Sequence, residues 1–242
     1  MPKLLLFLTF LLTATACRET QPLTVAMPPL QAASGSIAIR CGVLIDGLAD
    51  EPMHDQLLVV RDGRIANILP GHARIPATAP LLDLRDYTCL PGLIDTHTHI
   101  GILPEDSDDC RIYLQRTSGA VFNGYLQRQL QRVVFEKAIK AGVPILYGTD
   151  AGVSPHGWNA RQFEIMVGLG MPAMEAIKAA TSVAAYHIGW EHNVGAIEAG
   201  RFGDLIAVRG EPLADITVLQ NIDIVIKGGL IFKLPTEKAI GD

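Results

Sequence analysis

Leu90-Pro91-Gly92-Leu93-Ile94-Asp95-Thr96-His97-Thr98-His99 is an apolar run that ends abruptly in two histidines. If Leu93 to Ile100 is a strand, its alternation puts the side chains of His97 and His99 on one face. Two imidazoles on one face, at the C-terminal end of a strand, can hold a divalent metal ion. Asp95 lies on that face and is placed to orient a ligand histidine. Spacing alone leaves a structural or surface pair as the other reading, but an apolar strand gives up burial by ending in histidines unless they bind something. A second apolar run, Val143 to Tyr147, ends the same way, in Gly148-Thr149-Asp150. A buried aspartate is costly unless it is paired or metal-bound; the alternative is an N-cap for the segment that follows. In parallel α/β folds the C-terminal ends of strands form the active site, so these two ends are expected to act together.

Outward from these runs the pattern changes. Residues 36–92 read as strands: Ile37, Ile39 and Cys41 alternate with small or polar neighbours. Leu57 to Val60, Asp62-Gly63 and Ile65 to Leu69 form a hairpin signal with a type I′ turn. The other end matches, with a strand over Leu205 to Val208 and a second hairpin around Gly228-Gly229. Two β-rich ends imply one sheet domain composed from both. The middle, 93–190, alternates strand and helix, which is α/β grammar. Leu126, Leu130, Val133, Val134 and Ala138 keep helical spacing, with Gly142 as the residue that ends the helix. Phe163 to Leu169 and Pro172 to Ala180 are further helices, and Thr181 or Ser182 caps one more.

The chain begins with an address. Lys3, the apolar Leu4 to Leu12 and small residues running into Cys17 fit a signal peptide over 1–17. Ala14-x-Ala16 fits plain secretion, while Cys17 after small residues resembles a lipobox, which makes Cys17 the lipidation site and membrane attachment point. Residues 18–35 read as a linker. Either route implies export, to the periplasm or as an anchored lipoprotein, where Cys41, Cys89 and Cys110 can oxidise. Three cysteines cannot all pair internally, and the sequence assigns no bond. Hydrophobic residues at 49% against 19% charged exclude wholesale disorder. A net charge of -5, with no basic stripe, excludes a nucleic-acid partner.

"LPGLIDTHTH" followed by "GTDAG" resembles the amidohydrolase superfamily of metal-dependent hydrolases. "VVRDGRIANILP", "GAIEAGRFGDLIAVRGEPLADI" and "VIKGG" extend the resemblance over nearly all of 36–233, toward the branch of imidazolonepropionase-like enzymes and Xaa-Pro dipeptidases. The resemblance implies a (β/α)8 barrel over 93–190 and a small β-sandwich built from 36–92 and 191–234. It makes His97, His99 and Asp150 metal ligands, and Asp150 also the general base. It implies one or two divalent ions, zinc first, that acidify a bound water for attack on the C–N bond of a dipeptide or cyclic amide. His156, in "SPHGWN", either touches that small-molecule substrate or is an ordinary loop histidine.

Length departs from the family. A (β/α)8 barrel needs at least ~200 residues, and 93–190 supplies 98. At roughly 30 residues per βα unit, that is about three units. The resemblance puts a junction near Gly119 to Asn123, with strands 2 to 7 absent, and with them a lysine and two histidines that complete the family's ligand set. The expected fold is therefore α/β: an incomplete (β/α)8 TIM-barrel remnant plus a composite β-sandwich. Homo-oligomerisation would cover its open edges. Two functions stand: an exported metal-dependent amidohydrolase, or a non-catalytic, internally truncated amidohydrolase-like lipoprotein. A third reading, a binding module made of the sandwich alone, predicts that only the middle is protease-sensitive.

Overall fold

Alternating apolar residues at both ends of the chain form one seven-stranded sheet. The computed structural model describes residues 35–77, 79–97, 132–151 and 156–235. Cys17, most of the linker, His99, Cys110, Leu126 and Leu130 lie outside the described residues. The strands are β1 (Ser36–Leu44), β2 (Met53–Arg61), β3 (Arg64–Pro70), β4 (Leu81–Pro91), β5 (Leu205–Val208), β6 (Ile224–Lys227) and β7 (Leu230–Lys233). Their order is β3-β2-β1-β4-β5-β6-β7, so the two ends of the chain meet at the β4–β5 pair.

Local sequence explains each turn. Asp62 and Gly63 both take positive φ (49° and 78°), as a type I′ hairpin requires. β1 and β4 pair in parallel, with a shift in register: Cys41 faces Leu84, yet Val43 faces Thr88. Gly42 sits at this shift, where a β-carbon would lie 1.9 Å from the carbonyl oxygen of Arg85. Gly42→Ala therefore forces backbone apart and is expected to cost about 1–3 kcal/mol, the range for overpacking. A melting temperature unchanged from the parent would refute this.

The expected sandwich takes a different form here, a single hydrogen-bonded sheet that rolls over. The β2–β3 turn bonds to residues just before β5: Gly203 N–H donates to Gly63 O (2.9 Å) and Ile65 N–H to Arg201 O (2.9 Å). The inner face gathers Ile39, Cys41, Leu58, Val60, Ile65, Leu84, Cys89, Leu205 and Ile226 into one buried cluster. Cys41 and Cys89 are joined there in a disulfide between β1 and β4, with α-carbons 6.0 Å apart. This is the pairing that the sequence left unassigned.

The outer face of β4 and β5 carries the helices. β5 is buried on both sides, with Leu205 and Ala207 facing inward and Ile206 and Val208 joining Leu90 and Ile45 under the helical layer. Residues 132–140 are helical (α1). Gly142 ends α1 at φ 67°, with its N–H on Ile139 O (3.0 Å) and the Val143 N–H on Ala138 O (3.0 Å). That is the Schellman pattern, as expected of this glycine. α2 (Arg161–Gly168), α3 (Ala173–Ala179) and α4 (Ser182–His187) follow. Thr181 precedes α4 without capping it; its hydroxyl instead donates to Ile177 O (2.8 Å).

The strands expected over Leu93 to Ile100 and Val143 to Tyr147 are not regular strands within the described residues. The two runs are nevertheless tied together by backbone bonds: Thr96 N–H to Tyr147 O (3.0 Å) and Asp150 N–H to His97 O (2.8 Å). They run in the same direction, since 96 meets 147 and 97 meets 150. Ile94 and Tyr147 donate to Ala180 O (2.7 Å) and Ala179 O (3.1 Å), which fastens both runs to the end of α3.

Candidate active site

His97 and Asp150 meet. Their Nε2 and Oδ1 atoms lie 3.2 Å apart across 53 residues of sequence. Two features bring them together. Asp150 takes φ 54°, a left-handed conformation that aspartate tolerates better than most residues. Gly148 lets the two runs approach: a β-carbon there would lie 3.0 Å from His97 Cβ. The side chains of His97 and Asp150 are 67% and 52% exposed, so their pairing adds at most about 1 kcal/mol of stability. The pair is displayed toward solvent rather than buried for support.

An imidazole nitrogen and a carboxylate oxygen are donors of the kind that bind divalent ions. Two ligand atoms at about 2.0–2.1 Å in a tetrahedral site lie about 3.3 Å from each other, close to the 3.2 Å found. His97 and Asp150 would hold such an ion. His99, the third expected ligand, lies outside the described residues, and among those residues no three His, Cys, Asp or Glu side chains group together to hold a metal.

Asp95 reaches His97 through the backbone N–H and not the imidazole. Its described bonds go to backbone, hydroxyl and amide groups. Oδ1 accepts the N–H groups of His97 (3.2 Å) and Thr149 (3.1 Å). Oδ2 accepts the Thr149 hydroxyl (2.5 Å) and the Asn159 amide (2.7 Å). Asn159 Nδ2 also donates to Thr149 Oγ1 (3.1 Å), and its backbone oxygen accepts the Tyr147 hydroxyl (2.5 Å). Burial above all, and then the Asp95 charge, push the Tyr147 phenol well above its ordinary pKa, so it stays a neutral donor. Sequence reasoning missed Asn159, which ends the "SPHGWN" stretch read only for His156 and stands 64 residues from Asp95.

His156 is exposed in a turn, and no hydrogen bond among the described residues joins it to His97 or Asp150. His187 is bonded to its own helix, at Val183 O (3.0 Å).

Residues 101–231, more than half of the chain, match the model of the Amidohydrolase family. The chain belongs to the amidohydrolase family. Among curated relatives of this amidohydrolase, the ochratoxinase of Aspergillus niger is 41% identical over 106 residues, which are 42% of this chain and 22% of that one. An allantoinase of Streptomyces avermitilis is 49% identical over 43 residues, 18% of this chain and 10% of that one. The chain thus spans less than a quarter of the length of these relatives. Among solved structures, a Xaa-Pro dipeptidase with bound methionine in its active site superposes with a TM-score of 0.67 at 20% identity, over 82% of this chain and 100% of that one. The Aspergillus niger ochratoxinase structure gives 0.66 at 17% identity, over 83% and 96%. At these identities the likeness is one of fold.

Proposed function

We propose that this amidohydrolase carries a metal site for hydrolysing the C–N bond of a dipeptide or cyclic amide, built from His97, His99 and Asp150. The observation that carries the reading is the 3.2 Å approach of His97 and Asp150. It unites the two motifs that the sequence singled out, at a separation that suits two ligands of one ion. The names of the relatives, ochratoxinase, allantoinase and Xaa-Pro dipeptidase, support a small amide or dipeptide substrate.

A bound divalent ion, zinc first, would supply an acidified water and polarise the substrate carbonyl. The exposed Asp150 carboxylate would act as general base, taking a proton from the attacking water and giving it to the leaving nitrogen. His97 and His99 hold the ion, and His156, exposed beyond Asp150, contacts substrate. The architecture belongs to the same proposal: two side-by-side runs under helices are the remnant of a (β/α)8 barrel, and the rolled sheet, built from both ends of the chain, stands where the composite sandwich was expected. So does export, which the Cys41–Cys89 disulfide supports. Lipidation of Cys17 and self-association across the open barrel edge complete the proposal.

One observation favours a second reading, a non-catalytic truncated relative: residues 93–190 offer nothing that resembles the middle-strand ligands of the family. Elemental analysis of the chain from residue 18, dialysed without chelator beside a His97→Ala/His99→Ala variant, tests the site. About one zinc-type ion per chain, lost in the variant, is the expected result. No metal above the variant would overturn it. Turnover of dipeptides or cyclic amides by the loaded chain then separates the first reading from the second.

A further inference from the structure

We infer that Asp95 is a positioning residue, which with Thr149 and Asn159 sets the spacing of His97 and Asp150. The inference rests on the metal-site reading for its consequence, but its structural content is independent of metal.

The two donors come from separate runs of chain, and nothing covalent near them fixes their spacing. Asp95 Oδ1 sits between the runs, accepting from His97 N–H (3.2 Å) on one and Thr149 N–H (3.1 Å) on the other. The Thr149 N–H is shared, since it also reaches His97 O (3.2 Å). Oδ2 extends the tie to a third segment through the Thr149 hydroxyl (2.5 Å) and the Asn159 amide (2.7 Å). Asn159 is itself fastened from two directions. Its Oδ1 accepts the Gly157 N–H (3.2 Å), and its backbone oxygen accepts the Tyr147 hydroxyl (2.5 Å). A carboxylate is the side chain suited to this place, since it accepts at both oxygens and four donors point at it. Asp95, Thr149 and Asn159 are all half-buried, while His97 and Asp150 are exposed. The bonds of Asp95 to Thr149 and Asn159 are therefore partly shielded from competing water, and the groups that it aims are left open to a ligand.

The chemistry of the pair gives a test that a merely structural role would fail. Asp95→Asn puts an NH2 group opposite the NH2 of Asn159, two donors facing each other. Adding Asn159→Asp restores the match in mirror image. The amide at 95 then donates to the carboxylate at 159, which still accepts from Gly157. The Thr149 hydroxyl turns round, donating to 159 and accepting from 95. The backbone donors of His97 and Thr149 keep the remaining oxygen at 95.

Four metal-free chains are compared by amide hydrogen exchange: the parent, Asp95→Asn, Asn159→Asp and the double variant. Each single variant is expected to exchange about tenfold faster or more over 145–151, with β1, β4 and β5 unchanged, and the double variant to regain parental protection. Zinc titration of the same chains reads the consequence. Single variants bind about 10- to 100-fold more weakly, as when an outer partner of a ligand is lost, and the double variant recovers. Faster exchange in the sheet as well, no change at 145–151, or a double variant no better than the singles would each overturn the positioning role. A parent chain that binds no zinc while the exchange pattern holds would defeat the metal-site reading and leave the brace standing. Asn159→Ala, which removes fewer of the bonds, gives a smaller change in the same direction if Asp95→Asn unfolds the chain.

Discussion

Replacing Cys41 and Cys89 together by alanine is expected to lower the melting temperature by about 10 °C. The disulfide closes a stretch of 48 residues, for which the chain-entropy relation gives about 4 kcal/mol of stabilisation. A domain of this size loses roughly 2–4 °C per kcal/mol, so the shift is about 8–16 °C before strain and residual structure reduce it. Against a total stability of about 5–15 kcal/mol, that is a large share. The bond spans β1 and β4, and both sulfurs are fully buried on the inner face of the rolled sheet. Reduction in the folded state is therefore slow, since a reductant must first reach the buried sulfurs. Thermal unfolding of the double variant beside the parent, without reductant, checks this. A shift under about 2 °C, well short of that range, would mean the cross-link adds nothing.

The sequence could not reveal this pairing, because β1 and β4 are parallel neighbours that are not consecutive in the chain. Local patterns carry period and turn chemistry, and these were legible. Asp62-Gly63, Gly228-Gly229 and Gly142 fall where their positive φ angles are needed. Leu205 to Val208 is a strand over the residues that its apolar run marked. The approach of His97 to Asp150 followed from the idea that both end neighbouring strands, and the pair is found at 3.2 Å. Among the described residues the runs are held by individual backbone bonds, a pairing that an apolar run by itself does not specify. Strand alternation put Asp95 on one face with His97 and His99, which suggested an imidazole as its partner. Its described partners are the backbone N–H of His97, two residues away, and groups at positions 149 and 159, brought in by tertiary folding.

Phe163→Ala is expected to destabilise the chain by about 3–5 kcal/mol, the usual cost of emptying a buried phenylalanine site. Phe163 is fully buried on α2, and its ring lies against Tyr147, with centroids 4.4 Å apart. The cavity would open directly beneath the run that carries Gly148, Thr149 and Asp150. Phe163→Leu keeps most of the volume and is expected to cost under about 1.5 kcal/mol. The variant also decides whether the helical half and the sheet are one folding unit. Phe163 and Met166 share a core with Ile45, Leu90, Ile206 and Val208 of the sheet. β5 has its outer face inside that core and its inner face in the other. A sheet stripped of its helices would expose four large aliphatic side chains, at about 1.5–3 kcal/mol each, a large share of a total stability of about 5–15 kcal/mol. A single cooperative transition is therefore expected, with Phe163→Ala speeding hydrogen exchange in β4 and β5 as much as in α2 and α3. If the sheet peptides kept their protection while the helices lost theirs, the sheet would be a module that folds alone. The candidate active site would then sit on a separable appendage, which is the arrangement the shared core argues against.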